Sequence, residues 1–561
     1  MHTLNLRFFS AIILTIFFVI GQFQGVFAQT LSQQINDLLR NRIEAAGAPP
    51  RIAVGEEVLH ASVMLPLFYE RRMYSPAWSN TDGPLPTAEV LIGEIHKSDR
   101  EGLRPDDYHL GEIEEMLKVI HQDQKRKSTP NPGMLADLDL LLTDAFLIYG
   151  SHLLAGKVDP EKIDAEWIAN RREKDMAQVL EKALSSMQIE ETLQTILPSQ
   201  PGYKRLRDAL AHYRNIAQKG GWPVITEGPK MQKGDRGERV VLLRNRLIAN
   251  SNLESRREGD QELFDDGLEQ AVREFQKRHA LSIDGIVGDA TLKALNISAE
   301  ERVRQIELNM ERWRWLPEQL GERFILVNIA NFELDVFENG QKVMGMRAVV
   351  GRHYRRTPVF SDRMTYLVLN PYWHIPTNIA QLDILPQIRK DPDHLAKLKI
   401  KVFQGWGAEA NEIDPETIDW SEVKVKNSGY RFRQEPGPMN SLGRVKFMFP
   451  NKFNVYLHDT PSRKLFAKSQ RAFSSGCIRI EKAIELAEYL LRSDPNWTKE
   501  KILAEIDKDV EKTISLPEPI LVHLLYWTAW ADEDGSVQFR DDIYARDNLL
   551  DKALQEKPPT K

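Results

Sequence analysis

NVYLHDTPSRKLFAKSQRAFSSGCIRI, residues Asn454–Ile480, carries a histidine at the end of one short run and, nineteen residues later, the single cysteine of a 561-residue chain. Alternation through Val455-Tyr456-Leu457-His458 reads as a strand, and Ser474-Ser475-Gly476-Cys477 reads as a tight turn. A thiol is mostly protonated near neutral pH and needs a base to become a good nucleophile. Histidine, with an ordinary pKa near 6.5, can take that proton and later return it to a leaving amine. His458 and Cys477 meet if the intervening loop folds back. Gly476 lets the backbone approach closely, so that the N–H groups of Gly476 and Cys477 face a developing oxyanion; a turn needing positive φ accounts for the glycine equally well. Tyr456 shares a strand face with His458 and either lines the pocket, donates to the oxyanion, or is a half-buried strand aromatic. Arg479 holds a substrate carboxylate or a neighbouring stretch of backbone.

Around this stretch the apolar period is strand-like. RFILVNIA begins at Arg323, FELDVFE follows, and QKVMGMRAVVG comes after the hairpin signal Glu338-Asn339-Gly340. MTYLVLN and VKFMF continue the series, and EKAIELAEYLLR reads as a helix. Residues 323–545 are thus expected to form a mostly β catalytic domain, closed by a last pair of strands within LPEPILVHLLYWTAWADEDGSVQFRDDIYARD, with 546–561 as a C-terminal tail, frayed beyond Leu550. The polar, Gly/Pro-punctuated insertion 387–435, with Trp406 and Trp420, is too long for an ordinary connection and reads as a lid or as a surface elaboration.

Upstream, the fold is expected to be helical. Apolar residues recur at helical spacing from 30 to 225, giving a scaffold domain, and 230–297 holds three short amphipathic helices joined by Gly- and Asp-containing turns. Residues 298–322 read as a helical linker. The architecture is therefore multidomain α+β. At the N-terminus, Arg7, an apolar run from Phe8 to Ile20 and Val26-Phe27-Ala28 read as a signal peptide over 1–28, or as a membrane anchor if it is not cleaved, although the run is short against the ~20 residues of a spanning helix.

A net charge of -6 with signs interspersed argues against a nucleic-acid partner. No H-E-x-x-H or comparable ligand cluster is present, which argues against a zinc peptidase; no metal or other cofactor is expected. A lone cysteine allows no internal disulfide. In an exported chain it is a buried hydrophobe, half of an intermolecular bridge, or a working thiol.

Residues 230–296, with V-x-x-L-R-x-R-L at Val240–Leu247, Phe275-Gln276 and Asp284-Gly285-x-Val287-Gly288, resemble the three-helix peptidoglycan-binding domain of cell-wall enzymes. His458 followed by S-x-G-C-x-R resembles the YkuD-type L,D-transpeptidase signature, with Ser475 where many members have histidine. The segments NPYWHIP (Asn370–Pro376), GPMNSLG (Gly437–Gly443), HDTPSRKLF, DREGLRPDDYH and TAWADEDG extend the likeness to the large, multidomain YcbB-like branch. The resemblance implies Cys477 as nucleophile and His458 as general base and acid, with a main-chain carbonyl near Asp459 holding the imidazole tautomer. It implies Gly476, Ser475, Tyr456 and Arg479 around the oxyanion, and Trp373, Asn440 and Asp459 near substrate, with His374 structural. It further implies peptidoglycan stem peptides as tetrapeptide donor and acceptor, 3→3 cross-links as product, a carbapenem adduct on the thiol, other wall-synthesis enzymes as partners, and a periplasmic or cell-wall location. A non-catalytic wall-binding scaffold is the competing expectation.

Overall fold

The computed structural model describes residues 30–249, 260–405, 407 and 410–558, so the expected signal segment and Trp406 lie outside the described residues. The N-terminal unit is built around helix α1 (Pro132–Ala155), started by Asn131, whose side chain accepts from the amides of Gly133 and Met134. This helix is long and apolar enough to cross a membrane, but 89% of its apolar window is buried inside the protein. A helix apolar on every side belongs in a core, and here its two buried carboxylates are hydrogen-bonded. Asp139 accepts from the Ala77 and Trp78 amides, and Asp144 from the Ala61 amide and the His109 ring.

Helix α2 (Pro201–Gln218) closes this unit. The next unit holds α3 (Glu238–Ala249), α4 (Asp266–Arg278) and α5 (Asp289–Leu295) around Leu243, Phe264, Phe275 and Leu295. Gln276 on α4 fastens the Asp284-Gly285 turn. Its amide donates to Asp284 Oδ1 (2.8 Å) and the Ile286 carbonyl (2.9 Å) and accepts from the Gly285 N–H (2.9 Å), where φ is +74°. The motif is thereby accounted for by packing.

Residues 298–322, expected to be a helical linker, hold a helix that also makes contacts to several units. Ser298 and Glu301 form a reciprocal capping box that starts α6 (Ala299–Arg314), and this helix is a spine shared by the neighbouring units. Asn309 and Arg312 reach Thr528 in the C-terminal region, Glu311 accepts from the Val158 amide, and Arg314 meets Glu311 and the Tyr203 hydroxyl. Asn309, Glu311, Arg312 and Arg314, which make the segment look solvated, are buried, and each makes a hydrogen bond to another unit.

The C-terminal unit is a closed barrel. Its strands are β1 (Arg323–Asn328), β2 (Glu333–Glu338), β3 (Gln341–Gly351) and β4 (Phe360–Leu369), then, after a small subdomain built on β5 (Trp373–Ile375), β6 (Ile400–Gln404), β7 (Asn411–Ile413) and β8 (Tyr430–Gln434), the strands β9 (Val445–Met448), β10 (Leu457–His458), β11 (Ala472–Ser474), β12 (Ile478–Ile480) and β13 (Lys512–Leu525). The order β3-β12-β10-β9-β4-β13-β1-β2 returns to β3, with β11 added alongside β3. Closure leaves none of these eight strands with a free edge. The pairs β10–β12, β1–β13 and β3–β11 are parallel, and the remainder are antiparallel. Ile325, Val327, Leu367, Phe447, Leu457 and Ile478 fill the interior, capped by helix α7 (Ala483–Leu491).

Residues 546–561 are not simply a tail. After the hairpin β14 (Ala529–Ala531) and β15 (Val537–Phe539), helix α8 (Arg546–Gln555) buries Leu550 and Leu554 against the barrel, and the fully buried Arg546 donates to Asp164 at 2.9 Å. Its charged sequence suggests fraying because the partners lie nearly 400 residues away. The subdomain also begins earlier than insertion 387–435. It is a four-stranded sheet in the order β7-β6-β8-β5, so it starts at Trp373, and it has its own cluster of Ile384, Leu385, Ile388, Val402 and Phe432.

Candidate active site

Strand register assembles the site. β10 pairs in parallel with β12, Leu457 opposite Ile478 and His458 opposite Arg479, and the Ile478 amide donates to the Tyr456 carbonyl at 3.1 Å. One step back, Tyr456 therefore lies beside Cys477. Leu457 and Ile478 point into the barrel, which turns Tyr456, His458, Cys477 and Arg479 to the opposite face. On the other side of β10, antiparallel β9 places Lys446 opposite His458, with its ammonium 4.1 Å from the centre of the Tyr456 ring. From a strand spacing of ~4.8 Å and a rise of ~3.3 Å per residue, the Cα atoms of Cys477 and His458 are roughly 8 Å apart across the diagonal, a span that two side chains leaning together can bridge.

Each polar group is tied to its surroundings. His458 Nδ1 donates to the Asp459 carbonyl at 2.6 Å, which leaves Nε2 as the nitrogen able to accept a proton. Burial, followed by the positive charge of Arg479, pushes the imidazole down to about 3, against the opposing pull of the Asp459 and Leu442 carbonyls. This departs from the expectation of a base titrating near 6.5. Cys477 is half-buried, with Sγ 3.9 Å from the Asn454 carbonyl. Burial raises its pKa, while hydrogen bonds from the Tyr456 amide and phenol and the charges of Lys446 and Arg479 pull the other way. At neutral pH Cys477 is thus a thiol and His458 a neutral imidazole. Burial also lowers Lys446 and Arg479, and Arg479 Nε has no hydrogen-bond partner.

The turn before the cysteine corrects one expectation. Gly476 has φ +115°, so a glycine is required there, but its N–H donates to Ser474 Oγ at 3.1 Å and is not available to an oxyanion. The Ser474 hydroxyl in turn donates to the Cys477 carbonyl at 2.5 Å, and Thr357 donates to the Gly476 carbonyl at 2.8 Å. No described residue accepts from the Cys477 N–H. Ser475 is exposed, and its Oγ accepts from Arg355 (2.8 Å), whose guanidinium also pairs with Asp383 of the small subdomain.

Residues 322–501, which contain this arrangement, match the YkuD family, described as an L,D-transpeptidase catalytic domain. The chain carries a YkuD L,D-transpeptidase catalytic domain. Two further matches precede it, a scaffold domain over 64–210 and a peptidoglycan-binding domain over 236–295. A Haemophilus influenzae protein named "Putative L,D-transpeptidase" is 36% identical over 262 residues, 46% of this chain and 51% of that protein. The Mycobacterium tuberculosis "N-acetylmuramoyl-L-alanine amidase CwlM" is 41% identical over 80 residues, 13% of this chain and 20% of its own length. The chain thus spans about half the length of the first relative and a fifth of the second. A solved L,D-transpeptidase from Stackebrandtia nassauensis, at 12% identity, covers 54% of this chain and 96% of its own with a TM-score of 0.21, a likeness too weak to carry an argument.

Three residues expected near substrate carry structural duties. Asn440 is 1% exposed, donates to the Pro371 and Glu435 carbonyls at 3.0 Å each, and accepts from the Leu442 amide at 2.8 Å. It knots the loop that presents the Leu442 carbonyl to His458. The Asp459 carboxylate accepts from the Arg444 amide (3.0 Å) and from Arg463 (3.2 Å). Trp373 packs on the subdomain cluster, and His374, expected to be core or hydrogen-bonded, is exposed. Residues missing from the sequence reading are Lys446, Thr357 and Arg355, and Ser474 was named there only as part of the turn. For Lys446 the alternation within VKFMF was available, but not the register that sets it against His458. Among the described residues no group of His, Cys, Asp or Glu could hold a metal ion.

Proposed function

We propose that this protein is a peptidoglycan L,D-transpeptidase that forms 3→3 cross-links. The observation that carries the reading is the β10–β12 register, which brings Tyr456, His458 and Cys477 to one face of the YkuD domain. Cys477 Sγ attacks the carbonyl on the L-centre of the third stem residue as its proton passes to His458 Nε2. The oxyanion takes hydrogen bonds from the Cys477 N–H and the Tyr456 phenol, donors worth ~3 kcal/mol apiece in a barrier. The C–N bond breaks, His458 returns its proton to the departing D-Ala amine, and a thioester remains. The side-chain amine of a second stem then attacks, gives up a proton to His458, and releases the thiol. Lys446 and Arg479 supply positive charge where the sulfur and oxyanion carry negative charge.

Purified protein incubated with tetrapeptide-containing wall fragments is expected to release D-Ala and yield 3→3 dimers on muropeptide analysis; folded protein that yields neither removes the proposal. On this reading the chain works outside the cytoplasm, in the periplasm or cell wall, where a second cysteine would risk pairing with the nucleophile. Stem peptides are its donor and acceptor, and other wall-synthesis enzymes its candidate partners.

A carbapenem offers the same thiol a strained acyl group. Attack opens the lactam and its nitrogen takes the proton, so nothing leaves. Intact-mass spectrometry is expected to show an increase of one whole carbapenem, located on Cys477; a folded protein without the adduct contradicts the assignment.

The small subdomain acts as the lid. Its Asp383 pairs with the same Arg355 guanidinium that holds Ser475, so its position is coupled to the nucleophile turn. Replacing residues 376–435 by a short Gly/Ser turn is expected to lower donor turnover by about tenfold or more, because ordering and water exclusion at the site are lost. Unaltered turnover in a folded variant would sink the lid.

A further inference from the structure

A cleft of about 430 Å³ separates the peptidoglycan-binding unit from the barrel, with Leu281, Lys293, Arg302, Gln470, Phe539 and Arg540 among its walls. Its size falls within the ~300–1,000 Å³ of small-molecule and peptide sites.

The charge around this cleft is unbalanced. Arg302, 3% exposed, lies over the Phe539 ring at 4.3 Å, and its Nε has no partner. Behind the same junction Arg246, 0% exposed, lies over Trp222 at 3.6 Å and gives only Nε to a carbonyl, leaving both terminal nitrogens unpartnered. His279 stacks between Phe275 (3.8 Å) and Phe539 (5.7 Å) with Nε2 unpartnered. Among the described residues Arg246, Arg302 and Arg540 touch only neutral acceptors, Arg302 donating to Gln305 and the Ala294 carbonyl and Arg540 to Asn331 and the Arg278 carbonyl, and Asp541 is the one carboxylate on the cleft wall. Burial lowers Arg246 to about 9 and Arg302 and Arg540 to about 10; Tyr213 pulls Arg246 back and Arg302 adds to its lowering, whereas Tyr213, Asp541 and Glu301 pull Arg302 back up, and Glu333, Asp532 and Asp541 do so for Arg540 against Arg471. Buried cations with no carboxylate in direct contact are costly, and an anion seated beside them in the cleft relieves that cost.

We propose that this cleft is a second binding site, for a carboxylate-bearing stem peptide of peptidoglycan, which holds a wall strand beside the catalytic face. The identity of the ligand rests on the reading of the chain as a wall enzyme. Stem peptides present several carboxylates on a flexible, partly apolar chain, matching cations set among Leu281, Phe332 and Phe539, whereas a bare glycan offers no charge to these arginines. Gln470 leads into β11 and the nucleophile turn, so at ~3.3 Å per residue the cleft lies roughly 15–20 Å from Ser475. A peptide held there raises the local concentration of its neighbours on the same strand at Cys477.

Calorimetry on the full-length Cys477→Ala protein tests this with three probes: the free tripeptide L-Ala-γ-D-Glu-diaminopimelate, the same peptide with its carboxylates amidated, and the peptide-free disaccharide. The free tripeptide is expected to bind at least tenfold more tightly than either other probe, and more weakly as salt is raised. Lys293→Glu, which reverses the sign of an exposed rim residue, and Ser282→Trp, which fills the cleft from an exposed position, are each expected to weaken it at least tenfold with an unshifted thermal transition. No tripeptide binding, binding that survives both substitutions, or preference for the disaccharide would overturn the proposal. If cross-links form yet both substitutions leave binding intact, the cleft inference fails alone. If no cross-links form yet binding is lost on filling the cleft, the catalytic reading fails and the site stands.

Discussion

Cys477→Ala is expected to remove 3→3 dimers and D-Ala release together, by about 10³-fold or more, because no other group of the site can form the acyl intermediate. The fold should survive. The side chain is half-buried at the barrel rim, and the turn is held by Ser474, Thr357 and the Gly476 conformation, none of which involves the sulfur. Comparing thermal transitions of the two proteins, alongside muropeptide analysis, checks both halves of the statement. Cross-linking by the folded alanine variant would show that the thiol is not the acyl carrier.

His458→Asn is expected to lower kcat/KM by about 10²–10⁴-fold, the usual worth of a positioned general base and acid. The pH profile makes the expectation sharper. With the imidazole held down to about 3, its neutral form is present at every pH above that value, so wild-type kcat/KM should show no acid limb near 6.5. Cys477 moves upward, so its alkylation by a small reagent should keep rising with pH through the usual thiol range without levelling. At high pH, where the thiolate exists without help, the asparagine variant should be alkylated nearly as fast as wild type while donor acylation stays slow. An acid limb at 6.5 that disappears in the variant would mean that the imidazole is far better solvated than its burial indicates. The same shift bears on stability. The unfolded chain takes up a proton on His458 near 6.5 and the folded protein only near 3, so stability drains away as pH falls across that window.

Local patterns made much of this molecule legible. Helical periodicity marked the N-terminal unit and the three small helices, strand alternation marked the barrel, and the spacing of His458 and Cys477 pointed to the chemistry. Segments whose meaning depends on distant partners were illegible. Asn309, Glu311 and Arg314 give α6 a solvated appearance, yet each is buried because a group from another unit completes it. Arg546 and Leu550 give the C-terminus the look of a charged tail, and only the docked barrel shows which side of that helix is covered. Within the site, Lys446 needed the β9–β10 register and Arg355 needed the position of Asp383, neither of which follows from spacing. The Gly476 amide was misassigned because its partner, Ser474, looks like any other turn serine.

The lid enters through β5 and leaves through β8, and these two strands lie hydrogen-bonded side by side, Trp373 against Gln434 and Ile375 against Phe432. An excursion whose ends meet in this way is topologically an enlarged hairpin tip. Evolution can lengthen it, shorten it or exchange it for another cassette without shifting any strand of the barrel, so cousins of this protein should differ most in that module while the face bearing the thiol is inherited unaltered.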